Sequence, residues 1–171
     1  WFLAQLDEAA SAAHHMPASL RLQGRLDVDA LQATLDRLLA RHEGLRTHFI
    51  DIDGVPYQEI APEDCGFVLL REDLSAMPSA EREAAVAART AEEALAPFDL
   101  SAGPMIRGRL LRLSDEEHVL LLTQHHIVSD GWSLGILVRE VAALYTAFSR
   151  GGADPLPPLD IQYADYAQWQ R

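Results

Sequence analysis

The chain has 171 residues, the length of one ordinary domain or of one lobe of a larger one. Its 49% hydrophobic and 23% charged residues exclude disorder, collagen and coiled coil as descriptions of the whole chain. Lys and Arg number 14 against 26 Asp and Glu, a net charge of −12; such a surface repels phosphate backbones and anionic lipid heads, so neither nucleic acid nor membrane is expected as a partner.

The longest apolar run, Val119 to Leu122, is far too short to span a bilayer. The single cysteine, Cys65, excludes an internal disulfide and a cysteine-based metal site. It also points to a reducing, cytoplasmic setting. The chain opens on Trp1-Phe2-Leu3, without methionine or a basic leader, and stops inside what reads as a helix. It therefore reads as a piece of a longer polypeptide.

In chain order, residues 18–24 alternate polar and apolar, as a half-buried strand does. Asp27 is placed to cap a helix from Val28 to Glu43, with Leu31, Leu35, Leu38 and Leu39 on one face and Gly44 as the stop. A strand from Leu45 to Ile50 follows. Asp53-Gly54 then signals a hairpin into Val55 to Ile60. A short strand is expected at Phe67 to Leu70, and Ser79 is expected to cap an alanine-rich helix that Pro97 ends. Met105 to Leu113 and His118 to His125 read as a hairpin joined by Ser114 to Glu117. Leu134 to Arg150 reads as an amphipathic helix closed by Gly151-Gly152. Pro155, Pro157 and Pro158 make a stiff linker to a last helical start near Tyr163. Interleaved helices and hairpins without a βαβ rhythm predict an α+β sandwich, mostly antiparallel sheet with helices packed on it.

The residues with most chemical potential run from Gln124 to Ser133, between the last strand and the last long helix, where reactive groups are often displayed. Strand alternation sends His125 and His126 to opposite sides, so only one reaches a given cavity. A neutral imidazole there is able to accept a proton from a nucleophile. The alternative is a histidine pair satisfied at a strand end. Ser129-Asp130-Gly131 is turn chemistry, and Asp130 is as well suited to holding the loop as to touching substrate.

The segment Arg41 to Phe49 closes the first long helix, with Arg41 and His42 near its negative end. It is not a zinc-protease motif, because Arg46 stands where a second histidine is needed. Arg46 needs an anionic partner if buried, and Asp130 is a candidate. His14-His15 lack a carboxylate at ligand spacing, so no metal site is expected. No phosphate loop and no nucleophile elbow occur. Cys65 sits among acidic neighbours, which raise a thiol's pKa and argue for an inert side chain.

The run from His125 to Ser133 resembles the His-His-x-x-x-Asp-Gly signature of the condensation domains of nonribosomal peptide synthetases. Arg41 to Phe49 is similar to that family's Arg-His-Glu-x-Leu-Arg-Thr-x-Phe motif, and Tyr163 to Gln170 to its Tyr-x-Asp-Phe/Tyr-Ala-x-Trp-Gln motif. Trp1-Phe2-Leu3 resembles the tail of its first motif. Pro97-Phe98-Asp99-Leu100 with Gly103-Pro104 also fits. The resemblance covers nearly the whole chain. It implies one lobe, the N-terminal, of a chloramphenicol-acetyltransferase-like fold, whose C-terminal lobe is absent from this sequence.

The implied reaction is attack of an aminoacyl thioester's amino group on an upstream acyl or peptidyl thioester. Both substrates would be carried on 4′-phosphopantetheine arms of upstream and downstream peptidyl carrier domains, beside an adenylation domain of the same synthetase. No resident cofactor and no metal are implied. By position, His126 is the catalytic candidate and His125 supports the loop. Asp130 is structural and paired with an arginine, for which Arg46 is our choice, while Gly131 keeps the cleft open, its amide near the reacting centre. Ser129 and Trp132 belong to the supporting turn.

The forms around Arg41 and Ser129 resemble condensation domains that take a D-configured donor, or starter and dual types. His14-His15 lack the Gly-Asp of dual epimerisation domains, since Met16-Pro17-Ala18-Ser19 follows. The alternatives are an epimerisation domain, a coenzyme A-dependent acyltransferase, and a non-catalytic carrier-binding lobe. Trp132, after the glycine, speaks for condensation. The 171 residues alone are expected to be inactive, because a one-lobe cleft has no opposite wall.

Overall fold

The computed structural model describes residues 13–170; the Trp1-Phe2-Leu3 motif lies outside them. The described residues form two compact units, 13–26, 68–98 and 106–127 in the first, and 27–67, 99–105 and 128–170 in the second. No helix among the described residues is long and apolar enough to cross a membrane.

Among the described residues, the first unit is a four-stranded sheet with one helix against it. Its strands are β1 (His15–Gln23), β4 (Leu69–Asp73), β5 (Ile106–Ser114) and β6 (Glu117–His125), in the order β1-β6-β5-β4. The hairpin β5-β6 and the pair β1-β6 are antiparallel, and β4 runs parallel to β5. β1 reaches further toward the N-terminus than its alternation predicts, because it pairs with β6 along its whole length, from His15↔His125 to Gln23↔Glu117. Pro17 is tolerated there because β1 is an edge strand, where a missing N–H breaks no ladder.

The predicted strand at Phe67 to Leu70 forms instead at Leu69–Asp73. Its charged end is held in place by side chains: Glu72 takes Arg89 at 2.8 Å, and Asp73 takes Arg112 at 2.5 Å. Helix α2 (Ser79–Leu95) packs on β1, β5 and β6. Ser79 is its first helical residue and not its cap. Pro78 occupies the cap position without a side-chain bond, and its carbonyl accepts from Arg82 N–H at 2.9 Å.

Leu111, Leu113, Val119, Leu121 and Leu74 form an apolar cluster against Met77, Ala85 and Val86. Toward its other end the same sheet face becomes polar. The registers Arg107↔Thr123 and His15↔His125 place these four residues on it.

In the second unit, α1 (Val28–Arg41) packs on α3 (Gly131–Phe148). Asp27 caps α1 as expected, accepting from Ala30 N–H at 2.9 Å. Leu35, Leu38, Leu39 and Leu144 are fully buried. α1 ends at Arg41, before Gly44: His42 turns extended, and Glu43–Arg46 tighten into a 3₁₀ turn. β2 (Thr47–Ile52) therefore starts later than predicted and pairs with β3 (Val55–Ile60). Asp53 and Gly54 both take positive φ, 53° and 80°, the geometry of a primed hairpin turn.

The proline-rich linker is anchored to the end of α1. Arg37 Nε meets Asp154 at 2.5 Å, Arg41 donates to Pro157 O at 2.5 Å, and Gln162 Nε2 donates to Arg41 O at 2.9 Å. Helix α4 (Tyr163–Trp169) starts where predicted, with a Gln162–Asp165 capping box.

Candidate active site

The histidine pair ends β6 in the first unit. Strand pairing stops at His125, and residues 126–128 form a turn. The ring of His125 is buried, at 3% exposure, while His126 is exposed. Strand alternation predicts that the two rings point to opposite sides; the strand instead ends at His125, and the turn that follows leaves one ring buried and the other exposed.

Among the described residues, three aromatic rings surround His125. His15 lies edge-on at 5.9 Å, Phe98 edge-on at 5.8 Å, and His14 stacks at 6.1 Å. His125 Nδ1 accepts from Ile127 N–H at 3.1 Å, which places the ring proton on Nε2. Burial, then the neighbouring charges of His15 and His14, push its pKa down to about 4. His125 is thus neutral at physiological pH and serves as a hydrogen-bond acceptor for the turn. The turn is fixed a second time by His126 N–H, which donates to His14 O at 2.7 Å. These two backbone bonds leave the His126 imidazole projecting from a pinned segment.

The rest of the motif begins the second unit. Asp130 is the N-cap of α3; its Oδ1 accepts from Ser133 N–H at 2.8 Å and from Ser133 Oγ at 2.7 Å. The turn chemistry read from the sequence is therefore realised as a helix cap. Gly131 is the first helical residue, and a Cβ built on it meets nothing within 4 Å. Ser129 is buried, and Trp132 stands 83% exposed. Arg46 is 6% exposed and lies in the 3₁₀ turn, not on a strand. Its guanidinium donates to Ala61 O and lies 3.7 Å from Glu43 Oε1.

Among the described residues no group of histidine, cysteine or carboxylate side chains is arranged to hold a metal ion. Cys65 is exposed and free.

Sequence reading assigned no role to the groups around His125. Phe98 lies in a motif that carried only the resemblance, and Arg107 and Glu93 stood among many surface-type charges. Strand parity carries a partial signal, since Arg107, Thr123 and His125 share one face once the hairpin register is known.

The model of the condensation-domain family matches residues 1–171. The chain belongs to that family. It is 52% identical over 171 residues to malpibaldin synthetase of Mortierella alpina and 46% identical over 171 residues to a linear gramicidin synthase of Brevibacillus parabrevis. All of this chain is covered in both cases, but only 3% and 2% of those proteins. Such relatives are nonribosomal peptide synthetases, and the family's general activity is acyl transfer that forms a peptide bond.

Among solved structures, the X-domain from teicoplanin biosynthesis superposes with a TM-score of 0.82 at 38% identity, over 92% of this chain and 33% of that one. The starter condensation domain of rhizomide synthetase gives 0.83 at 23% identity, over 99% and 41%. The epimerization domain from the third module of tyrocidine synthetase B gives 0.84 at 22%, over 98% and 37%. At these identities the last two establish the fold alone, the chloramphenicol-acetyltransferase-like fold of condensation domains.

Proposed function

We propose that residues 1–171 are the N-terminal lobe of a condensation domain, with His126 as its reacting imidazole. The reading is carried by one observation: the second histidine of the pair is exposed on a doubly pinned turn, while the first is buried, neutral and bonded to that turn.

In the reaction, the amine nitrogen of an acceptor aminoacyl thioester attacks the carbonyl carbon of a donor acyl or peptidyl thioester. The C–N bond forms, the C–S bond breaks, the thiol leaves, and the amine's proton is removed. His126 accepts that proton, orients the amine, or stabilises the tetrahedral intermediate. Both thioesters are substrates on phosphopantetheine arms of peptidyl carrier domains. The other partners are the second lobe and an adenylation domain of the same synthetase, with no resident cofactor. We pair Asp130 with Arg46 as support for the turn that opens α3.

An amine needs little help to attack a thioester. Alignment of two tethered ends is worth up to roughly 7–11 kcal/mol, and general-base assistance adds about 10²–10⁴-fold. His126→Ala in the complete synthetase is therefore expected to impair some donor–acceptor pairs far more than others, measured by mass spectrometry of product on loaded carriers. Wild-type rates across several pairs refute the role. The 171 residues alone are expected to form no amide, and turnover by them overturns the one-lobe reading. Chiral analysis of carrier-bound product separates condensation from the epimerisation alternative, which inverts a centre without joining two chains.

A further inference from the structure

The sheet face under α2 carries a chain of contacts that leads to His125. Glu93, in the last turn of α2, is only 4% exposed. Its Oε1 accepts from Arg107 Nε at 2.7 Å, and its Oε2 lies 3.6 Å from Arg109. Arg107 then uses its remaining donors on the end of the helix: Glu93 O at 3.0 Å, Pro97 O at 3.0 Å, and Ala96 O. α2 has no basic residue in its own last turn, so a strand residue supplies the cation that its orphan carbonyls favour. His15 Nδ1 donates to Ala94 O at 2.9 Å in the same turn.

The guanidinium so held lies 3.9 Å above the centre of the Phe98 ring, a cation–π contact. Phe98 in turn packs edge-on against both His15, at 5.1 Å, and His125. His125 has one hydrogen bond among the described residues, to Ile127 N–H, and its Nε2 is buried without a partner. One bond leaves a ring free to rotate. Packing is what keeps Nδ1 aimed at Ile127, and Phe98, His15 and His14 supply that packing.

We propose that Phe98 and Arg107 are positioning residues for the histidine pair. Arg107, locked by Glu93 and the α2 carbonyls, clamps the Phe98 ring against His125 and so fixes the turn that presents His126. The proposal rests on His126 being the reacting imidazole only for its effect on rate; its structural half stands separately. Loss of the ring frees His125 to swing, releases Ile127 N–H, and lets the 126–128 turn drift. Displacement of about 1 Å at a reacting group costs on the order of 10²-fold.

The test uses the complete synthetase, with Phe98→Leu to remove the ring, Phe98→Tyr to restore it, and Arg107→Met to remove the clamp while keeping apolar length. Hydrogen exchange of the peptide covering 124–130 reports the His126 and Ile127 amides. Steady-state kinetics report kcat for amide formation and KM for the carriers. Phe98→Leu and Arg107→Met are expected to speed exchange in that peptide by about tenfold or more. They are also expected to lower kcat by about 10- to 100-fold at unchanged KM. Phe98→Tyr is expected to restore both.

Unchanged exchange at 124–130 overturns the proposal. So does loosening across all of α2 and β6 with KM and kcat falling together, which assigns the two residues to the fold alone. If exchange responds as expected but the wild-type protein forms no amide, the clamp stands and the amide-forming reading falls.

Discussion

The second unit is expected to be most sensitive at Glu140. This α3 residue is 9% exposed and faces Arg41, itself 8% exposed. Its Oε1 accepts from Arg41 Nε at 3.1 Å, and its Oε2 lies 2.5 Å from His42 Nε2. Glu140→Ala strands the Arg41 cation in a buried setting. Breaking a buried pair by removing one partner costs about 3–5 kcal/mol. Because Arg41 keeps Pro157 O, we expect the low end, about 3 kcal/mol. At about 1.36 kcal/mol per decade this is roughly a 10²-fold increase in the opening equilibrium. Hydrogen exchange of α1 and α3 in the intact protein reads it directly.

The companion variant Arg41→Met/Glu140→Leu is expected to recover most of the loss, since apolar pairs of similar volume often replace buried ion pairs without penalty. Exchange in Glu140→Ala within about threefold of wild type refutes the reasoning, as about threefold is only some 0.6 kcal/mol. A double variant as damaged as the sum of its singles refutes the attribution to a stranded charge.

Three further outcomes follow from the site. Asp130→Ala removes both bonds from Ser133 and is expected to cost about 1 kcal/mol of helix stability, seen as faster exchange in the first turn of α3; unchanged exchange removes Asp130 as the cap. Gly131→Ala places its methyl in open space, so stability is expected to hold or rise slightly while amide formation falls, and full activity dismisses any need for room at that position. The third concerns pH. His125 titrates near 4 in the fold against an ordinary 6.5, so the unfolded chain takes up a proton between these values that the fold refuses. Stability is then full above about pH 6.5, falls with a slope of up to about 1.4 kcal/mol per pH unit as pH drops, and levels off below about 4. His125→Asn is expected to lack this component in urea titrations, and identical slopes in the two proteins exclude it.

Elements whose information is local were legible in the sequence. Asp27 before Val28, Asp53-Gly54 between two alternating segments, and the start of α4 at Tyr163 all formed as read. The errors lie where a contact outside the segment moved a boundary. β4 shifted to Leu69–Asp73 because Arg89 and Arg112 hold its acidic end. α1 stopped at Arg41 because the chain turns there to bring up the 3₁₀ segment, whereas the move of the α2 cap from Ser79 to Pro78 is a local shift of one residue.

At the candidate site, residue order alone singled out His125, His126 and Asp130, since a histidine pair at the end of an apolar strand followed by turn chemistry is a short-range pattern. Which ring is buried, and what holds it, was decided by tertiary structure. The β1-β6 register sets His15 opposite His125, and the hairpin register and α2 packing bring Glu93, Arg107 and Phe98 to the same end of one face. Periods of 2 and 3.6 encode which side of an element is apolar, but not the register or docking by which distant elements meet. The 99-residue separation of Arg41 and Glu140 shows the same limit: neither residue's neighbours in sequence carry any sign of the other.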